Sequence, residues 1–194
     1  MKIVLTHGYS DSNKGDLAIV VATVNEIRRQ IPDCELILQS VYSEDDPSFG
    51  FHHRFMSELL SKRIESMMIP SPYVDEGRHT VWRNLQALGR LFRDTLATRL
   101  ALICPPMGRI FPVQGRALQT IKSADVVILK GGQYLYNDQG GVRGYLYLWR
   151  MLHCIHVAKS LGKKVIVLGQ SIGPLNDARA RQLASDALNK CNLI

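Results

Sequence analysis

The sequence predicts an α/β protein built on a doubly wound, mostly parallel sheet, and three observations predict it. Short β-rich runs alternate with stretches of helical apolar periodicity along the chain. Two of those runs, DVVILK (125–130) and KKVIVLG (163–169), are nearly unbroken apolar segments, the kind a sheet covered on both faces requires. Polar, glycine-containing loops then follow the strands, which is where open α/β sheets place their ligands.

The elements follow in order. KIVLT (2–6) is the first strand, and a Gly/Ser/Asn/Asp loop runs from His7 to Gly15. From Asp16, the residues Leu17, Val20, Val21, Val24 and Ile27 recur at spacings of three and four, which predicts a helix that Pro32 and Asp33 end. ELILQSV (35–41) is the second strand, completing a βαβ opening. Residues 52–61 are expected to be helical and RIESMMI (63–69) to form a third strand before the break at Pro70–Pro72. Thr80 to Ile103 carries Val81, Leu85, Leu88, Phe92, Leu96 and Leu100 at helical spacing, and Pro105–Pro106 stop it. A short helix over 115–123 leads into 125–130, a loop GGQYLYNDQGG follows, and a long helix spans about Val142 to Leu161 with Gly162 as its C-cap residue. After the 163–169 strand comes a turn, GQSIGP, then a helix from Asp177 to Lys190. The closing NLI has the look of another strand beginning.

With 194 residues, 46% hydrophobic and 21% charged, the chain is long enough to bury one domain core and too apolar to be disordered. Its longest apolar run, Leu17 to Val24, falls far short of the roughly 18 residues of a membrane span. The apolar stretch after Lys2 is too short for a signal-peptide core, so a cytoplasmic protein is expected. Four scattered cysteines (Cys34, Cys104, Cys154, Cys191) suit a reducing compartment. His153 and His156 share a helix face but have no further ligand nearby, so no metal is expected. The formal net charge is +7; between 52 and 122, 11 Lys and Arg stand against 5 Asp and Glu. No RNA-binding signature or zinc finger accompanies that excess, which argues against a nucleic-acid partner. The basic residues Arg83, Arg90, Arg93 and Arg99 accompany the apolar stripe of 80–103. Two readings follow: a core helix with a solvated basic face, or a helix lying on an anionic bilayer.

Three loops carry the chemistry. In HGYSDSNKGD (7–16), Gly15 permits close backbone approach at a helix start, and Asn13 and Asp16 flank it. The pattern is neither the dinucleotide fingerprint nor the Walker loop, so NAD and ATP are poor fits and no cofactor is expected. In KGGQYLYND (130–138), Gly131 and Gly132 open room beside the sheet, and Gln133, Tyr134, Asn137 and Asp138 suit a polyhydroxylated ligand. In GQSIGP (169–174), Gln170 and Ser171 would face the same crevice while Gly173 shapes the turn.

Together, NxGD after the first strand, GGQYL after DVVIL, and GQSIGP after the next strand resemble the polysaccharide pyruvyl transferase family. The resemblance covers most of the chain and is weakest between about 45 and 115. It implies the N-terminal Rossmann-like half of a two-domain, glycosyltransferase-B-like architecture, with a second domain outside these residues carrying most donor contacts. It also implies transfer of pyruvate from phosphoenolpyruvate to a saccharide acceptor as a ketal. The candidate residues are then Asp16 as base for an acceptor hydroxyl, with Asn13, Gly15, Gly131, Gly132, Gln133, Tyr134, Gln170, Ser171 and Gly173 binding substrate. Lys130 replaces a third glycine usual in the family, which predicts a stiffer, more cationic loop. A chain holding only this half is expected to be inactive alone and to associate with its own copies through uncovered faces. Two rivals stay open from the residues: half of a sugar-nucleotide glycosyltransferase, and a non-catalytic binding module.

Overall fold

The computed structural model describes residues 1–72, 81–138 and 140–194. The first strand, β1 (Lys2–Gly8), lies at the middle of a five-stranded sheet and is paired on both edges. Its neighbours are β2 (Glu35–Ser40) on one side and β4 (Val126–Leu129) on the other; β3 (Ile64–Ser66) and β6 (Lys164–Val167) form the flanks. The order β3-β2-β1-β4-β6 is parallel at every pairing. The chain therefore winds outward from β1 in one direction and then from β4 in the other. The reversal falls between β1 and β4, whose carboxyl ends open the crevice where such sheets bind ligands.

Alternation along β1 divides the core. Ile3 and Leu5 enter an apolar cluster with Val20 and Val24 of α1 (Lys14–Gln30), Leu36 and Leu38 of β2, and Met56 of α3 (Arg54–Leu59). Val4 faces the other side, joining Leu118 and Ile121 of α5 (Pro112–Ser123), Leu148, Leu152 and Ile155 of α6 (Gly141–Ser160), and Ala180 and Ala184 of α7 (Ala178–Leu188). Both faces of the sheet are covered, as the unbroken apolar strands required.

Several local expectations need correction. The 52–61 helix is two short pieces, α2 (Phe49–His52) and α3, parted at His53, whose backbone (φ −129°, ψ 30°) leaves the helical region. The third strand keeps only Ile64–Ser66. The 115–123 helix begins earlier, at Pro112, because proline fits the first turn where no amide bond is required. The two loops after β4 and β6 are in large part strands. β5 (Gly132–Asn137) and β7 (Gln170–Leu175) pair in parallel as a separate two-stranded ribbon that prolongs the β4–β6 pair. Glycines and prolines suggested turns, but Gln133–Tyr136 has strand-forming side chains and a partner only tertiary folding supplies. At the other end, Leu193 bridges Ile166 in parallel and accepts a bond from the Val167 amide at 3.0 Å, so the NLI segment does run along β6.

The largest departure is α4 (Val81–Ile103), part of a predicted helix whose first residue, Thr80, lies outside the described residues. It packs against α5, and its buried positions are small or polar: Ala87, Asp94, Ala97, Thr98 and Ala101. Its apolar stripe of Val81, Leu85, Leu88, Phe92 and Leu96 is turned to solvent instead, with Phe92 70% exposed. The core-helix expectation is thereby overturned. Asp94 explains the inversion: its carboxylate is held by Arg93 and by the Gln114 amide at 3.0 Å, which docks the polar side of α4 onto α5. None of the helices among the described residues is long and apolar enough to cross a membrane.

Candidate functional site

At the reversal point, residues from three elements meet. Asn13 caps α1: its side-chain oxygen accepts from the Asp16 amide at 3.3 Å, while its side-chain nitrogen donates to Asp16 Oδ2 at 2.8 Å. The cap is thus Asn13, and Asp16 is freed to act as the first-turn carboxylate that the helix dipole favours. Lys130, at the end of β4, points its ammonium at Asp16 Oδ1 and also donates to the Gly131 carbonyl at 3.1 Å. Lys130 is 1% exposed, whereas the Asp16 side chain keeps 20% of its surface open. The cation expected to make this loop more basic is therefore spent inward, on Asp16. Gly132 is what leaves room for the pair. Its φ is +138°, and a Cβ there would sit 3.3 Å from Lys130 Nζ and 3.4 Å from Asp16 Oδ1.

The remaining candidates fall around this pair unequally. Ribbon pairing sets Gly132 directly beside Gln170, whose side-chain oxygen is buried without a partner while its nitrogen donates to the Ser171 carbonyl. Gly15 is exposed on the first turn of α1, and Gly131 is packed against the Leu168 and Gly169 carbonyls. Gln133 and Ser171 are exposed, and Gly173 shapes the far part of β7 with φ +104°. Tyr134 turns the opposite way. It is buried, its hydroxyl donates to the Lys130 carbonyl at 2.6 Å, and its ring stacks on His7 at 4.4 Å. Burial pushes that phenol well above the ordinary tyrosine range, so Tyr134 braces Lys130 from below as a neutral group.

His7 had drawn no attention in the sequence. It is a non-glycine residue at φ +67°, placed where the β1–β2 register slips between Leu5 and Gly8. The bulge turns its imidazole into the interior, where Nε2 meets the Met151 carbonyl at 2.9 Å and Nδ1 meets the Thr6 hydroxyl at 2.8 Å. Desolvation, with a smaller push from Arg150 and Lys130, outweighs the Met151 bond and lowers its pKa to about 3. His7 is a neutral spacer under the site.

A second feature lies beside the first. A cavity of about 670 Å³ opens past the ends of β1 and β2, lined by Tyr9, Tyr42, Tyr136, Tyr147, Arg143 and Arg150 among others. Tyr9 and Tyr42 are tilted together at 5.3 Å, Tyr42 stacks on His52 at 4.0 Å, and Tyr136 meets Tyr147 at 5.1 Å. None of these side chains was singled out from sequence. The readable signal was Arg143, Tyr147 and Arg150 at spacings of four and three on one helix, which puts them on a common face. No group of three His, Cys, Asp or Glu residues among the described residues could hold a metal ion.

A model of the family described as polysaccharide pyruvyl transferase matches residues 13–194, a span that begins at the capping asparagine and includes the whole ribbon. The chain belongs to the polysaccharide pyruvyl transferase family. Neither curated proteins nor solved structures returned a match. Membership makes the protein one of a group of transferases in which a pyruvyl group is the cargo and a saccharide the recipient. Within this pyruvyl transferase fold, the Asn13–Asp16–Lys130 cluster and the tyrosine-lined cavity both lie toward the carboxyl ends of the parallel strands.

Proposed function

We propose that this chain forms the acceptor side of a pyruvyl transferase that moves pyruvate from phosphoenolpyruvate onto two hydroxyls of a saccharide. The single observation that carries the reading is the Asp16 carboxylate, partly open to the crevice and fixed from two directions by Asn13 and Lys130. In the proposed reaction carbon 3 of the donor takes up a proton and becomes a methyl group. Carbon 2 develops oxocarbenium character, two acceptor oxygens bond to it in turn, and inorganic phosphate leaves. Two hydroxyl protons are released: one balances the proton gained at carbon 3 and the other leaves on phosphate. Asp16 is the base that receives a hydroxyl proton. Gln133, Gln170 and Ser171 orient the acceptor, with Gly15, Gly131, Gly132 and Gly173 letting it lie close to the backbone. Tyr134 acts through Lys130 as a positioning residue.

The reading gives donor binding mainly to a second Rossmann-like half, so these residues alone should turn over little donor. It also seats the enzyme at an anionic membrane surface through the exposed stripe of α4, where carrier-linked saccharides would be reached. The test is phosphate release and ketal formation with this chain alone, with the second half added in trans, and with Asp16→Asn. Activity only on complementation, falling by about a hundredfold or more in Asp16→Asn, is the expected result. Full activity of Asp16→Asn would refute the assignment.

A further inference from the structure

Arg150 is the most unusual charge in the molecule. It lies in the middle of α6, is 6% exposed, and lines the tyrosine cavity. Its side chain makes one hydrogen bond among the described residues, a long one from Nη1 to the Ile69 carbonyl at 3.5 Å, and its guanidinium lies 5.6 Å over the Tyr147 ring. Among the described residues no carboxylate pairs with it, whereas the buried Lys130 has Asp16 and the buried Asp94 has Arg93. Burial accordingly pulls its pKa down from the ordinary arginine value. A guanidinium remains charged under nearly all conditions, and a buried charge without a counter-ion is costly. Five donors with one poor acceptor, facing a cavity large enough for a monosaccharide, describe a place where the ligand supplies the anion.

The rest of the cavity specifies what carries that anion. Four tyrosines from four different elements or their ends (β1, β2, β5 and α6) converge on it. Their electron-rich faces suit the C–H faces of a pyranose, and their hydroxyls suit its oxygens. The exposed Arg143 and Asp138 line the rim of the same space with opposite charges, which leaves the buried Arg150 to set the preference for an anion.

We propose that this cavity binds a sugar bearing an anionic group, a carboxylate or a phosphate, with the anion on Arg150 and the ring against the tyrosines. The inference rests on the saccharide-acceptor reading above and narrows it: the acceptor is an acidic or phosphorylated sugar rather than a neutral one. A planar carboxylate would engage the guanidinium through two parallel bonds, and a phosphate could do the same.

The experiment is NMR titration of the chain with glucuronate, glucose 1-phosphate, glucose, inorganic phosphate and phosphoenolpyruvate, reading saturation transfer on the ligand and shifts of the tyrosine resonances. At least one charged sugar should bind ten times or more tighter than glucose and tighter than either phosphate probe. Preference for glucuronate identifies a carboxylate-bearing acceptor, and preference for glucose 1-phosphate a phosphate-bearing one. Arg150→Met should bring the charged sugar down to the affinity of glucose. Because removing a buried residue can disturb folding, Tyr136→Ala is measured alongside it; this variant should weaken every sugar while leaving phosphate binding unchanged. Asp16→Asn should keep the charged-sugar preference, so loss of transfer in that variant tests the reaction while Arg150→Met tests the cavity. Equal binding of charged and neutral sugars, a charged preference that survives Arg150→Met, or phosphoenolpyruvate binding as tightly as the charged sugars would overturn the proposal.

Discussion

Gly144 and Gly89 each lie inside a long helix, where replacing glycine by alanine ordinarily stabilises a protein by about 1 kcal/mol. The structure predicts opposite signs for the two. At Gly89, exposed on α4, an added Cβ meets nothing within 4 Å, so Gly89→Ala should stabilise the chain and raise its Tm by roughly 2–4 °C. At Gly144, in the second turn of α6, the same methyl would fall 1.8 Å from Asn137 Oδ1 and 2.9 Å from its Cγ. Asn137 cannot swing aside, being 1% exposed with its side-chain nitrogen donating to Asp177 Oδ2 at 2.6 Å. Asp177 in turn caps α7 by accepting from the Ala180 amide at 2.7 Å. Overpacking costs about 1–3 kcal/mol and loss of a hydrogen bond to a charged group about 1.5–3 kcal/mol. Set against the helix-propensity gain, the net is a destabilisation of about 1.5–5 kcal/mol, a fall in Tm of roughly 3–20 °C for a chain of this size. Thermal melts of the two single variants and of Asn137→Ala/Gly144→Ala check the reasoning. Relative to Asn137→Ala alone, the double variant should lose most of the Gly144→Ala penalty. A Tm for Gly144→Ala at or above that of the unmodified protein would refute it.

Two further outcomes follow from burial and exposure. His7, His53 and His153 are buried and neutral, with pKa values lowered by desolvation to about 3, about 4 and about 4. The unfolded chain, titrating near 6.5, binds more protons below that pH, so stability is fully present above about 6.5 and is lost as pH falls toward 3–4. At pH 5 the loss is up to about 2 kcal/mol per histidine, which denaturant midpoints measured from pH 7.5 to 4.5 would register; a flat midpoint would contradict these burials. Separately, the solvent-facing stripe of α4 should give weak, salt-sensitive binding to anionic liposomes, with each nearby arginine contributing about 1 kcal/mol. Co-sedimentation should fall on changing Arg90 and Arg99 to Gln or Phe92 to Ser, and equal recovery on neutral lipid would exclude the membrane role.

Much of the architecture was written in local pattern. Unbroken apolar runs at 126–129 and 164–167 can be satisfied only inside a sheet covered on both faces, and the three- and four-residue spacing after Asp16 can only be a helix. The motifs NxGD, GGQYL and GQSIGP were enough to point to the family, and they follow β1, β4 and β6, neighbours in the sheet. Tertiary structure decided the rest. Whether Gly132–Asn137 is loop or strand depends on a partner some forty residues away, which no local propensity encodes. The direction of the α4 stripe was set by tertiary contacts of the opposite face, such as Asp94 with Gln114, because periodicity reveals that a helix has two faces but not which one docks. Lys130 illustrates the same limit: its charge was legible, but only the fold shows it neutralised by Asp16 instead of offered to solvent. Nothing local marks Arg150, in the middle of a helix, as a binding residue; its burial at the cavity exists only once α6, β5 and the strand ends have come together.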